Sequence, residues 1–274
     1  MNLRIPAFLI AIILLACAAS AQVSAKHASV ELLSRDQGAA PGSDLMLGVH
    51  FLLEKGWHIY WINPGDSGQP PTLNWQLPTG FSVGEVEWPR PERMQPSPTL
   101  ADYGYHDDVL LMIPVKVAAS VAKDRPAEFV LDAKWLICRE VCLPDRAQLK
   151  LSLPLARSAQ TSPATAHIFA RTQKLLPISL PKGWRVSAQS LKNSFVLVVH
   201  SGKALSKAEF FPLDPDQIDN AAPQKIEPAA AGLRISLKKS DLLVKRIFSL
   251  RGVLVIGDRA YQVEAPVTAP RAVK

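Results

Sequence analysis

Proline constrains this chain before anything else does. Twenty-three of its 274 residues are proline. Each one fixes φ and removes a backbone donor, so long helices are disfavoured through most of the sequence. Between the prolines, apolar residues recur at every second position, the period of a strand with one buried face. Leu45 to Leu53 predicts one strand, and Trp57 to Trp61 a second, entered through Gly56. Thr72 to Gln76, Phe81 to Trp88 and Val109 to Val117 predict three more. Glu128 to Cys138 predicts a strand paired with Ala147 to Leu153. Asn63-Pro64-Gly65-Asp66 is a turn signal, and Pro70-Pro71 extends that loop. Short strands at regular spacing with Gly and Pro turns predict an all-β chain built of β-sandwiches.

The pattern changes once. From Leu155 to Leu180 the residues become small and polar, and Ser162-Pro163 is a cap signal for a short helix. Ile168, Thr172, Leu175 and Leu176 would share one side of it, and Pro177 and Pro181 would end it. Alternation then resumes at Arg185 to Ala188, Phe195 to Val199, Glu209 to Phe211, Leu233 to Leu237 and Gly252 to Ile256. Gly257-Asp258-Arg259-Ala260 predicts a hairpin turn into Tyr261 to Glu264. The expected organisation is therefore a sandwich over 22–157, a helical linker over 158–180 and a second sandwich over 181–274. Five of the six tryptophans precede residue 136, so the first unit carries the heavier aromatic core.

The N-terminus reads as an export signal over residues 1–21. Arg4 precedes the apolar run Ala7 to Ala16, and Ala19-Ser20-Ala21 supplies an A-x-A cleavage site. A bilayer span needs about 20 apolar residues, more than this run offers. Leu14-Leu15-Ala16-Cys17 resembles a lipidation site, but Leu before the small residue fits it poorly, and soluble release is the expectation. The net charge of +7 is modest and its basic residues are scattered. No basic block alternates with aromatics as a nucleic-acid groove requires, so the charge reads as a solvated surface.

Loss of residues 1–21 would leave two of the three cysteines, Cys138 and Cys142, in an oxidising compartment. In a continuing strand, residues four apart stand roughly 13 Å from each other. A disulfide needs Cα atoms about 4.4–6.8 Å apart, so the chain must turn between the two if they bond. Pro144 and Asp145 are consistent with a loop there. Alternation sends Phe129, Leu131, Ala133, Trp135 and Ile137 to the core, and Asp132, Lys134 and Cys138 to the opposite, wetter face. So short a loop stabilises the fold by roughly 2 kcal/mol against about 4.7 for a hundred-residue loop. Easy opening suits the pair better than stapling, which favours thiol–disulfide chemistry over an inert disulfide. Soft-metal binding is the third reading, with His58, His106 and Met94 as further ligands if the fold gathers them. There is no Cys-x-x-Cys, phosphate loop or nucleophile elbow.

Trp135-Leu136-Ile137-Cys138-Arg139-Glu140-Val141-Cys142-Leu143-Pro144 resembles the cysteine segment of the N-terminal periplasmic domain of the DsbD/ScsB family of thiol:disulfide interchange proteins. The segment Trp57 to Gly68 is similar to that domain's early strand and loop, and Tyr103-Gly104-Tyr105 to a later one. Phe210-Phe211-Pro212, Ala221-Ala222-Pro223-Gln224 and Gly252 to Val255 extend the likeness to a ScsB-type second half. The resemblance implies an immunoglobulin-like sandwich passing electrons through a Cys138–Cys142 disulfide, with Cys142 forming the mixed disulfide and Cys138 resolving it. It implies a cap around Asp102, Tyr103 and Gly104, where DsbD proper has an aromatic residue at the position of Asp102, and a tyrosine, Tyr60, near the pair. No metal or organic cofactor is needed. The implied partners are a membrane thiol transporter of the DsbD or CcdA kind and exported thioredoxin-like proteins, met by a periplasmic monomer. No membrane or thioredoxin-like part follows in this sequence, so other proteins are expected to supply them.

Overall fold

The computed structural model describes residues 19–20 and 22–269. The export-signal and Cys17 readings lie outside the described residues, except that Ala19 and Ser20 pair with Ser152 and Leu151. No helix among the described residues is long and apolar enough to cross a membrane.

The chain is all-β, two sandwiches in tandem with one short helix between them. In the first sandwich a five-stranded sheet runs Val23–Ala25, Ala28–Ser34, Asp44–Leu53, Asp108–Val117, Phe81–Val83. Against it lies a sheet ordered Ala19–Ser20, Cys142–Leu153, Ala127–Cys138, His58–Gly65, Leu100–His106, Glu92–Ser97, with Thr72–Gln76 also paired to Ala127–Cys138. The predicted alternation decides which faces meet. Phe129, Leu131, Ala133, Trp135 and Ile137 all enter the core with Ala147, Leu149, Leu151 and Leu153. Edge-on aromatic contacts cross between the layers, Phe51 with Trp135 at 5.3 Å and Phe81 with Phe129 at 5.2 Å.

Three expectations change. The strand from Phe81 stops at Val83, and only an isolated bridge from Glu87 to Met112 follows. Pro144 and Asp145 open no loop: Cys142–Leu153 is a strand from its first residue, with Pro144 opposite Leu136. Proline is tolerated there because this end of the strand lies at a sheet edge, where its missing donor has no neighbour. The helix, Ala166–Gln173, is capped at Thr165 rather than Ser162, and Thr165 Oγ1 donates to the Ser34 carbonyl at 2.7 Å. Phe169 and Leu176 pack with Leu33, Leu110 and Met112 on the outer face of the five-stranded sheet. A Cβ at Gly48 would run into Leu110, so the bare backbone there makes room for this layer.

The second sandwich comes from one seven-stranded ladder folded over on itself. Its order is Glu209–Pro212, Ser249–Ile256, Arg259–Thr268, Arg185–Ser190, Ser194–His200, Gly232–Lys238, Lys225–Ala229. The fold-over point is a short parallel pairing of Ala188 with Val267 and Gln189 with Thr268. Phe195, Leu197, Phe210, Leu233, Ile235, Leu250 and Leu254 fill the interior. Gly257, at φ 58°, turns the chain back with Asp258, as its sequence predicts. The two sandwiches share packing: Phe211, Val253 and Ala260 join the core of the first.

Candidate active site

The cysteine hairpin ends on its own disulfide. Cys138 and Cys142 are the last cross-strand pair of the ladder, their Cα atoms 4.1 Å apart. Arg139, Glu140 and Val141 form the turn, closed by Arg139 N–H donating to the Val141 carbonyl at 3.2 Å. The two sulfurs have unlike surroundings. Cys142 is exposed, whereas Cys138 is 2% exposed. Alternation does put Cys138 on the face away from the core, where Lys134 is exposed, but Cys138 itself is not wet. His58 stands opposite Cys138 across the ladder and is itself buried.

His58 has an unusual environment. Burial first, and the neighbouring His106 second, push its pKa down to about 4, so it is neutral at pH 7. Its Nε2 is buried without a hydrogen-bond partner. Its ring stands edge-on to Tyr60 at 5.2 Å and to His106 at 5.6 Å. The Tyr60 hydroxyl lies 3.5 Å from Cys142 Sγ, placed to donate to that sulfur. Burial raises the Tyr60 pKa, a Ser67 hydrogen bond opposes this, and the charge of Asp102 adds to it, so Tyr60 keeps its proton.

Behind Tyr60 lies a strapped loop. A Cβ on Gly68 would overlap the Tyr60 ring, so the backbone at φ 77° rests directly on the aromatic face. The preceding Ser67 donates through N–H and Oγ to the Asp102 carboxylate at 3.0 and 2.8 Å. Burial raises the Asp102 pKa against these hydrogen bonds. Asp66 accepts from Ala101 N–H and from Asn220 Nδ2, each at 2.7 Å. Asn220 Oδ1 in turn accepts from the Tyr103 hydroxyl at 3.0 Å, and its carbonyl accepts from Arg93. Asn63 Nδ2 donates to the Pro212 carbonyl at 2.8 Å. The second sandwich thus holds the loop that backs Tyr60.

The residues singled out from sequence therefore divide. Cys138, Cys142 and Tyr60 come together. Asp102 is buried one step behind Tyr60, fixing Ser67. Tyr103 points into the core, edge-on to Phe211 at 5.3 Å, toward the second sandwich rather than the sulfurs. At Gly104 a Cβ would collide with the Ile59 carbonyl, so this glycine lets two strands approach closely. His58 and His106 do meet. Among the described residues, no three or more His, Cys, Asp or Glu side chains gather as a metal site would need. Arg139 lies over the Trp57 ring at 5.3 Å and pairs with Glu140, so its charge is engaged beside the turn. Ser67, Gly68 and Asn220 were not legible as site residues.

Residues 29–154 match the family described as thiol:disulfide interchange protein DsbD, N-terminal. The N-terminal periplasmic domain of ScsB from Proteus mirabilis has a similar structure, with a TM-score of 0.65 at 17% identity, over 88% of this chain and 93% of that one. That likeness is one of fold and takes in both sandwiches. No curated protein sequence matches the chain.

Proposed function

Taking the membership of residues 29–154 in the DsbD N-terminal family as premise, we propose that this chain is a periplasmic thiol–disulfide exchange protein that relays reducing equivalents through Cys138 and Cys142. The observation that carries the proposal is the unequal burial of the two cysteines, Cys142 exposed and Cys138 enclosed beside a neutral histidine. The division into a redox sandwich over 22–157, a linker over 158–180 and a second sandwich over 181–274 belongs to the same proposal.

A partner thiolate attacks Sγ of Cys142, the exposed cysteine. A new S–S bond forms, the Cys138–Cys142 bond breaks, and Cys138 leaves with the electron pair. Its burial disfavours a thiolate, so Cys138 takes up a proton released by the partner's dithiol. His58, its cross-strand neighbour, is the polar side chain beside it. The partner's second thiolate then attacks its own half of the mixed disulfide and releases Cys142. The partner is oxidised and the pair reduced, with two electrons transferred. Running the same steps in reverse, the Cys142 thiolate attacks a substrate disulfide, and the Tyr60 hydroxyl stabilises it by donating a hydrogen bond. The donor is a membrane thiol transporter or its thioredoxin-like domain, and the acceptors are exported thioredoxin-like proteins.

Trapping tests this. With Cys138→Ala, Cys142 should accumulate mixed disulfides with exported thioredoxin-like proteins, and Cys142→Ala should accumulate none. Absence of adducts in both, with a pair that also resists reduction by dithiothreitol, overturns the relay.

A further inference from the structure

Far along the chain from the cysteines, the loop over 239–248 joins Gly232–Lys238 to Ser249–Ile256. It carries the three most exposed large apolar side chains among the described residues, Val244 at 88%, Phe248 at 72% and Leu242 at 68%. Their exposure is built in. Leu243 and Ile247, between them in sequence, pack against the second core and fix the loop's inner side. The outer three are thereby held away from the protein.

The charge around them is mostly positive. Lys239, Lys245 and Arg246 lie in the loop, and Lys192 lines the same cleft from the facing turn. Asp241 is the loop's single acidic residue. Among the described residues no acidic side chain forms a salt bridge with Lys192, Lys245 or Arg246. The Arg246 guanidinium sits over the Phe248 ring at 5.3 Å, so the cation and the exposed aromatic share one surface. Lys239 is tied inward, donating to Ser190 Oγ and the Leu191 carbonyl, which braces the base of the loop.

We propose that this loop docks the second sandwich onto the surface of an anionic phospholipid bilayer. Leu242, Val244 and Phe248 would enter the boundary between headgroups and acyl chains, while Lys192, Lys245 and Arg246 remain among the phosphates. Two physical arguments favour a bilayer over a protein. Specific protein interfaces bury about 800 Å² per partner and are depleted in lysine. A loop of about ten residues with interleaved cations offers neither the area nor the composition. Membrane-surface binding needs only a few inserted apolar side chains plus attraction to anionic lipid, and that is the composition present.

The experiment is vesicle co-sedimentation of the whole chain, with phosphatidylglycerol-containing and pure phosphatidylcholine vesicles at low and high salt. Binding to the anionic vesicles is expected to be at least tenfold stronger, and to weaken as salt screens the cations. The triple variant Leu242→Ser, Val244→Ser, Phe248→Ser and the pair Lys245→Gln, Arg246→Gln should each lower it several-fold with an unchanged unfolding midpoint. Because every protein keeps the same N-terminus, the differences report on the loop alone. Equal binding of wild type and triple variant overturns the proposal, as does indifference to lipid charge. So does a concentration-dependent self-association that the triple variant abolishes while vesicle binding stays unchanged.

Discussion

Two hairpins in this molecule close in different ways. At the second, Ser249–Ile256 returns as Arg259–Thr268 through Gly257 and Asp258, and Gly257 at φ 58° has no atom near where a Cβ would stand. That turn is made by residue choice. At the first, Ala127–Cys138 returns as Cys142–Leu153 through Arg139, Glu140 and Val141, with no glycine, proline or asparagine. There a covalent bond stands in for turn chemistry. The lesson is that the cysteine tip has been given a closure that can be opened and remade, on a ladder long enough to hold its register without it.

The largest contrast should come from breaking each closure. Cys142→Ser should reduce exchange with a thioredoxin-like partner to background, measured by the rate of partner oxidation, while costing stability only about 2 kcal/mol. Gly257→Val should cost about 1–2 kcal/mol through its left-handed backbone and leave exchange unchanged.

Acid should separate the two hairpins next. His58 has a folded pKa of about 4 against 6.5 in the unfolded chain. The unfolded state therefore takes the proton first, and stability should fall as pH drops from about 6.5 to about 4, then level off. The full effect is on the order of 3 kcal/mol. Hydrogen exchange should show the cysteine hairpin loosening across that window and the Gly257 hairpin holding, and His58→Gln should flatten the dependence in denaturant unfolding.

Asn220→Ala removes the side chain that joins Asp66 to Tyr103 and should cost about 2 kcal/mol in a denaturation midpoint. It acts on the cysteine end from the second sandwich, so exchange should slow as well, which no stability loss at Gly257 would reproduce. The smallest effect is Tyr60→Phe. Losing one hydrogen bond to the Cys142 thiolate, worth about 1 kcal/mol, should slow alkylation of Cys142 near neutral pH roughly fivefold.

Much of this was legible beforehand. Alternation located the core rows of the cysteine hairpin, and Gly257-Asp258 announced its turn. The strands Glu92–Ser97 and Leu100–His106 were missed because their short polar and aromatic mixture carries no clean period. Alternation also placed Cys138 away from the core correctly, yet said nothing of its burial. His58 pairs with it from a strand 80 residues earlier, and strand period carries no information about such a neighbour. Asn220 was equally invisible, since it meets Asp66 across 154 residues of sequence. Its meaning exists only once the two sandwiches pack.

Because Cys142 is the exposed one of the two cysteines, the pair offers a single doorway. In the proposed relay, donor and acceptor then cannot be served together; one must depart before the other arrives. Steady-state kinetics should follow a ping-pong pattern, with parallel double-reciprocal lines and each partner inhibiting when in excess. Throughput would then depend on how quickly each partner vacates that sulfur.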